Sequence, residues 1–354
     1  MSVGEQRRSF KLTAFGSPLA EVVEAPPSPQ GSEVLLRVGA CGVCHSDLHL
    51  FDGYFDLGHA HKLDLTRSVS LPKVLGHEIV GTVVAVGPEA QGVGVGDRRV
   101  VYPWTGCGAC PACKDGFEQL CATPRCQGTT LDGGFSTHVL VEHPRYLEAF
   151  DPLPESFAAT LACSSLTAFS ALKKAAPVDA ERPLVIVGAG GVGLAATALA
   201  RAVYGLAPVV ADIDPAKRQA ALEAGASAAI DPADTAARKA LVKESGGIAA
   251  VIDFVGAEAS AQFGLSLLRK GGRLVIVGLF GGALDVPLPT IPMRGISVIG
   301  SYVGTLADFR EVVALARAGH LSPMPIETRP LAAAQQALDD LRAGRIRGRA
   351  VLTP

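Results

Sequence analysis

LVIVGAGGVGLAATALA, residues 184–200, decides how this chain folds. Leu184 to Val187 are four apolar residues in a row, the pattern of a short strand buried on both faces. They run straight into Gly188–Gly193, spaced G-x-G-x-x-G, and then into small apolar residues at helical spacing. Glycines so spaced mean little alone in a chain with 40 of them. Here a strand precedes them, a helix follows, and an acid ends the next strand. Gly188 permits a tight turn, Gly190 leaves room for a pyrophosphate, and Gly193 lets helix and strand pack closely. Gly191 and Val192 complete the turn, whose helix N-terminus offers free N–H groups to phosphates. The acid is Asp212, 19 residues past Gly193. A carboxylate there accepts hydrogen bonds from the adenosine ribose and repels a 2′-phosphate, which selects NAD over NADP. Asp212 and Asp214 can each instead cap the helix opening at Pro215; ribose binding is expected of Asp212 and capping of Asp214. Lys217 is within reach of the same ribose or is simply solvated.

Working outward, strands and helices alternate from about 165 to 300. PVVAD (208–212), SAAID (227–231), AAVIDFV (249–255), RLVIVG (273–278) and ISVIG (296–300) complete six candidate strands. Alternation of this kind predicts a doubly wound parallel sheet of Rossmann type. Residues 1–160 instead carry short β-branched runs with many turn residues: EVLLRVG, EIVGTVVAVG, RRVVYP and FSTHVLVE. The expected architecture is α/β. An irregular, mostly-β catalytic domain takes 1–160 and 302–354, and a six-stranded dinucleotide-binding domain takes 161–301.

The chain has 354 residues, 48% of them hydrophobic, and a formal charge of −2. No basic run is long enough to follow a phosphate backbone, so nucleic acid is not an expected partner. No stretch of about 18 apolar residues is uninterrupted, so no membrane span is expected. MSVGEQRRSF has no apolar run after its basic residues and does not read as a secretory signal. A cytoplasmic protein is the expectation, in which thiols stay reduced and clustered cysteines read as metal ligands.

Cys107, Cys110, Cys113 and Cys121 lie within 15 residues, at spacings of x2, x2 and x7. Four thiolates close a tetrahedral zinc shell that leaves no position for chemistry, so the loop 107–121 reads as a structural staple. Catalysis must lie elsewhere. CGVCHSDLH (41–49) and GHE (76–78) supply Cys44 and His77, ligand types that zinc accepts when one position stays open; Cys163, in LACSSLT, could be a third. Spacing alone does not bring three such distant residues together.

In order and over nearly the whole length, these motifs resemble the zinc-dependent medium-chain alcohol dehydrogenases. The resemblance implies a catalytic zinc on Cys44, His77 and Cys163, hence two zinc ions per chain, with Cys41 and Cys126 left as small buried residues. It implies that Asp47 orients His77, that Glu78 stands behind the metal as a transient ligand, that Ser46 bonds the substrate oxygen, and that His49 ends a proton relay through the nicotinamide ribose. Thr167 is then packed on the nicotinamide, Val277 is a further cofactor contact, and His45 and Arg349 face the pyrophosphate. The implied reaction is reversible hydride transfer between a primary or secondary alcohol and NAD, in a homodimer or homotetramer acting on a small molecule. A polyol or amino-alcohol dehydrogenase of the same family is the alternative. A zinc-dependent binding module is disfavoured because the cysteine loop and its flank hold only Lys114 and Arg125 as basic residues. Residues 50–75, with Tyr54, Phe55, His59 and His61, run longer than the family pattern and are read as a pocket wall or subunit contact; the two histidines are expected to be solvated. Trp104 is expected to line the pocket.

Overall fold

Residues 6–354 are described by a computed structural model; MSVGE, the opening of the segment read as lacking a leader, lies outside the described residues. Leu184–Val187 is a strand with all four residues buried, and Ile248–Asp253 beside it is buried at all six. Such runs form strands that helices cover on both faces. The sheet runs Ala228–Ile230, Val209–Ala211, Leu184–Val187, Ile248–Asp253, Leu268–Ile276, Ser297–Gly300, with every pairing parallel. Its order reverses between Leu184–Val187 and Ile248–Asp253, where Val187 sits opposite Asp253. In sheets of this kind ligands bind outside the carboxyl ends of the strands at that point. The helix Gly191–Tyr204 buries Leu194, Ala196, Leu199 and Ala200 and stops at Gly205 in the left-handed conformation. A Cβ on Gly193 would fall 1.8 Å from the Gly188 carbonyl oxygen, so only glycine allows the helix to start this close to the strand.

The N-terminal half and the C-terminus build a second, antiparallel-rich sheet of seven strands. Val34–Gly42 is central, pairing with Glu78–Val86 and His138–Val141. The last strand, Arg349–Thr353, pairs with it at Val351–Gly42 and Leu352–Cys41. The end of the chain therefore returns beside the CGVC segment and delivers Arg349 there. A helical run from Glu155 to Ala175 carries the chain across the expected 160/161 boundary, and its Leu161, Leu166 and Phe169 share one apolar core with Tyr102 of the first half and Ile186 of the parallel sheet.

The 50–75 stretch holds a hairpin, Tyr54–Gly58 against His61–Asp64, turned at His59 and Ala60 with φ of 50° and 64°. Gly58 packs on the backbone of Gly282 and Ala283, so the hairpin spans from the N-terminal half to the loop after the fifth parallel strand. No helix among the described residues is long and apolar enough to cross a membrane.

Candidate active site and metal centres

The helix His45–Asp52 begins where the strand Val34–Gly42 ends. Cys44 is its extended N-cap, and the Asp47 carboxylate accepts from the Cys44 N–H at 2.9 Å. The other Asp47 oxygen accepts from Gly76 N–H at 3.1 Å and stands 3.3 Å from His77 Nδ1. One fully buried carboxylate thus fixes the thiol-bearing turn, the GHE turn and the imidazole together. Cys163 arrives by a different device. Between the helices Glu155–Thr160 and Leu166–Ala175, residues Leu161–Ser165 form a wide π-type turn, a distortion frequent at functional sites. It brings Cys163 Sγ to 4.0 Å from Cys44 Sγ.

Ligand atoms of Cys44, His77, Glu78 and Cys163 all lie within 4.8 Å of one another, and all four residues are buried. The donor set fits zinc. Two thiolates bonded at about 2.3 Å in a tetrahedron stand about 3.8 Å apart, close to the separation seen. Neither ring nitrogen of fully buried His77 has a hydrogen-bond partner in the protein; Nδ1 stands beside the Asp47 carboxylate, which leaves Nε2 as the nitrogen free for a metal. Hydrogen bonding from Cys163 holds the Cys44 thiol well below its ordinary range against the opposing effect of burial. The same contact, together with burial, drives Cys163 upward. Behind the trio, burial pushes Glu78 up to about 7 despite the attraction of Arg349. Glu78 Oε1 accepts from Ser164 Oγ at 3.0 Å and lies 3.0 Å from Arg349 Nη2, which also bonds Ser164. Ser164 carries no signal in the sequence beyond its place next to Cys163.

The second group is Cys107, Cys110, Cys113 and Cys121, also with ligand atoms within 4.8 Å. Cys110 Sγ lies 3.5 Å from Cys113 Sγ and 3.8 Å from Cys121 Sγ, again the edges of a zinc tetrahedron. The loop is pinned at its base by Glu118, which accepts from Gly106 N–H at 3.2 Å, Tyr146 Oη at 2.7 Å and Arg145. His59 and His61 belong to neither group; the latter is exposed in its strand.

Ser46 Oγ is 3.9 Å from Cys44 Sγ, at the edge of the first group. His49 is one helical turn further on, and the Phe55 ring covers it at 4.6 Å between centroids. Burial lowers His49 from the usual imidazole value, with Cys44 and Asp52 pulling the other way. His45 is exposed, yet the surrounding protein lowers it; Cys44 opposes that shift, while Arg349, His49 and Lys217 add to it.

On that side the residues fit a dinucleotide. A Cβ on Gly190 would meet nothing within 4 Å, which leaves open space at the helix N-terminus. Thr167 Oγ1 is buried without a partner, and so is Arg349 Nε, which lies under Gly191. Arg349 therefore bridges the two halves: Nη1 donates to Val43 O at 3.1 Å, Nη2 serves Glu78 and Ser164, and Nε is left for the glycine turn. Asp214 caps its helix through Ala216 N–H at 2.8 Å. Asp212 accepts from Ala189 N–H at 2.7 Å and Asp214 N–H at 2.9 Å, which fixes its carboxylate at the end of the second parallel strand. Val277 lies just past the fifth strand, its N–H donating to Asp253 O at 2.9 Å.

Trp104 does not line an open pocket. It is 2% exposed, donates Nε1–H to Ala162 O at 3.1 Å and packs on His77 at 5.0 Å. Tyr302, which the sequence did not single out, covers it at 6.0 Å and is 45% exposed, yet the surrounding protein drives its phenol upward. The next residue, Val303, has a φ of 39°, a genuine outlier for a β-branched side chain, and Tyr102 Oη holds the following carbonyl, Gly304 O, at 2.8 Å.

Comparison with known proteins agrees with this geometry. Residues 30–151 match the alcohol dehydrogenase GroES-like domain and residues 191–318 the zinc-binding dehydrogenase domain. The chain is 38% identical over 350 residues to an NAD-dependent alcohol dehydrogenase of Saccharolobus solfataricus, covering 98% of this chain and 100% of that one. It is 32% identical to a D-arabinose 1-dehydrogenase (NADP(+)) of the same organism, covering 97% and 96%. The alcohol dehydrogenase of Aeropyrum pernix superposes with a TM-score of 0.88 at 29% identity, over 98% and 100% of the two chains.

Proposed function

The chain belongs to the zinc-dependent medium-chain alcohol dehydrogenases, and from that premise we propose how its own residues carry out NAD-dependent oxidation of an alcohol to an aldehyde or ketone. One observation carries the assignment of the site. A buried Cys44–His77–Cys163 trio, with both ring nitrogens of His77 unpartnered, is joined to the glycine turn by Arg349, which pairs with Glu78 and lies beside Gly191. Zinc held by the trio supplies Lewis acidity that lowers the pKa of a hydroxyl, and NAD supplies the hydride acceptor.

The chain's own work is positional. Asp47 fixes His77 and the Cys44 turn at once, so the ligands are set before anything binds. Ser46 Oγ, at the edge of the trio, takes the substrate proton. His49, on the same helix face one turn later, passes it outward, and burial keeps its imidazole in the proton-accepting form. Phe55 over His49 and Tyr302 over Trp104 exclude water from the two sides. Glu78, supported by Ser164 and Arg349, stands behind the trio in place to ligate in turn. Gly190, Gly191, Val192, Thr167, Val277 and Arg349 receive the phosphates and nicotinamide, while Asp212 and Lys217 receive the adenosine ribose. The four-cysteine loop holds a second, structural zinc.

Ser46, Asp47, His49, His77 and Glu78 fall in 1–160 and most nucleotide-binding residues in 161–301; Cys163 and Arg349 cross that division, each serving the half it does not belong to. Leu288, Met293 and Val298, 78%, 76% and 44% exposed around the edge strand Ser297–Gly300, support assembly into a homodimer or homotetramer. Eight unpaired cysteines, six of them in zinc groups, support a reducing, cytoplasmic setting.

The test is formation of reduced nicotinamide from NAD across primary, secondary, polyol and amino-alcohol substrates. Turnover of simple alcohols, lost in Cys44→Ser and His77→Ala chains that remain folded, is the expected result. Preference for polyols would favour the alternative that the sugar-oxidising relative suggests. Lack of turnover with every substrate class would refute the reading.

A further inference from the structure

Ser164 stands between the metal group and the ion pair behind it. It follows Cys163 in the π-type turn Leu161–Ser165, and neighbours on a helical turn point about a quarter of a turn apart. The turn that sends one side chain to the trio therefore sends the next one elsewhere. Ser164 is fully buried, and its Oγ donates to Glu78 Oε1 at 3.0 Å and accepts from Arg349 Nη2. A serine hydroxyl has one proton, and this one is directed at the carboxylate. Arg349 Nη2 lies 3.0 Å from the same oxygen, so both donors hold Oε1. Arg349 is itself pinned, with Nη1 donating to Val43 O at 3.1 Å. The other oxygen of Glu78, Oε2, is buried with no partner among the described residues. It occupies space that exists because residue 42 is glycine, since a Cβ there would fall 2.1 Å from it. A carboxylate oxygen of Glu78 also lies within 4.8 Å of the ligand atoms of Cys44, His77 and Cys163. Zinc accepts carboxylate as readily as it accepts imidazole, so the trio has an internal candidate for its fourth position. The donors on Oε1 compete with a metal for that candidate.

We infer that Ser164 is a positioning residue that holds Glu78 on Arg349 and so keeps the fourth position of the metal group open for substrate. Without the hydroxyl, Glu78 loses a donor and Arg349 loses the acceptor that fixes Nη2 beside it. Arg349 stays on Val43 and does not follow, so the carboxylate is free to enter the metal shell. The inference rests on the zinc reading given above and assigns the residue that decides between a shell closed by the protein and one left open.

The experiment reads the open position directly. It uses the full chain with cobalt replacing zinc at the Cys44–His77–Cys163 group, and follows visible absorption as imidazole is added. The four-cysteine group has a closed shell and does not take imidazole. Ser164→Ala should weaken imidazole binding about tenfold, the scale of one hydrogen bond to a charged group, because Glu78 now competes for the metal. Glu78→Gln keeps an oxygen for Ser164 and Arg349 but is a poor ligand. Imidazole should bind that chain at least as tightly as wild type, and adding Ser164→Ala to it should change nothing. If Ser164 only packs the turn that presents Cys163, Ser164→Ala would weaken imidazole by the same factor in both backgrounds, which overturns the inference. Unchanged binding in Ser164→Ala alone, or a wild type that takes no imidazole, overturns it as well. A wild type that holds no metal at the trio would instead overturn the zinc reading itself.

Discussion

Replacing Cys110 with Ser separates the structural metal from the chemistry. The loop from Cys107 to Cys121 has almost no apolar core to fall back on. Its helix, Pro111–Lys114, buries no residue, and Phe117 and Leu120 are 47% and 57% exposed. Structural zinc in small peptides contributes about 10–16 kcal/mol shared among four ligands. One thiolate is then worth about 3 kcal/mol, or roughly a hundredfold in metal affinity. The base of the loop is held independently, because buried Glu118 keeps its bonds to Gly106, Tyr146 and Arg145. Local rather than global unfolding should follow, confined to the segment between Gly106 and Glu118. Elemental analysis of purified protein should fall from near two zinc ions per chain to near one, with the remaining ion at the Cys44–His77–Cys163 group. Limited trypsin digestion should cut at Lys114, an exposed residue of the loop, much faster in the variant than in the wild type, where metal holds the turn rigid. A Cys110→Ser chain that keeps both ions, or that resists trypsin as the wild type does, would refute the view that this loop is held by metal.

Burial lowers His49, so its neutral, proton-accepting form persists below the ordinary imidazole range. Alcohol oxidation should hold its rate down to slightly acid pH, and His49→Gln should cost about a hundredfold in kcat while moving KM little, as read from pH–rate profiles. At the surface, hydrogen bonds from Arg345 and then Arg329 hold the Asp340 carboxyl down to about 2. A carboxyl with a depressed folded value stabilises the fold above its unfolded value of 3.8 and loses that contribution as pH falls toward about 2. Asp340→Asn should flatten the acid limb of a thermal-stability-against-pH series in that window.

How far the sequence was legible follows from where each element draws its stability. Leu184–Val187 is read to the residue because it is buried on both faces, and no surface constraint blurs an all-apolar run. The fifth strand begins at Leu268 rather than Arg273, because Leu268 pairs with Ile248 across a register shift that no local pattern signals. The four-cysteine loop is legible because its ligands are close in sequence. Cys163 was placed by resemblance alone: what presents it is a π-type turn inside a continuous helical run, a consequence of packing rather than of local preference. The hairpin at 54–64 was missed for the opposite reason. Its second strand is exposed at every residue, so no alternation marks it, and its position depends on Gly58 docking against Gly282 and Ala283. Tyr302 carries no signal in the sequence, because its contact with Trp104 is made only by the fold.

The Glu78–Arg349 pair shows why the site does not read as a stability device. Both side chains are almost fully buried, at 0% and 4%. Desolvating two such charges costs several kcal/mol each, and an apolar pair of similar volume would often serve the fold as well or better. Their geometry is costly in another respect as well. Glu78 Oε2 and Arg349 Nε are buried with no partner, which forfeits the compensation that usually makes a buried ion pair tolerable. The two orphaned atoms point in informative directions. Glu78 belongs to the metal group, and Arg349 Nε lies under Gly191 at the start of the nucleotide helix. The pair, satisfied only in part by the protein, links the Cys44–His77–Cys163 group to the start of the helix Gly191–Tyr204 at a cost in stability, which is the mark of a functional rather than a structural ion pair.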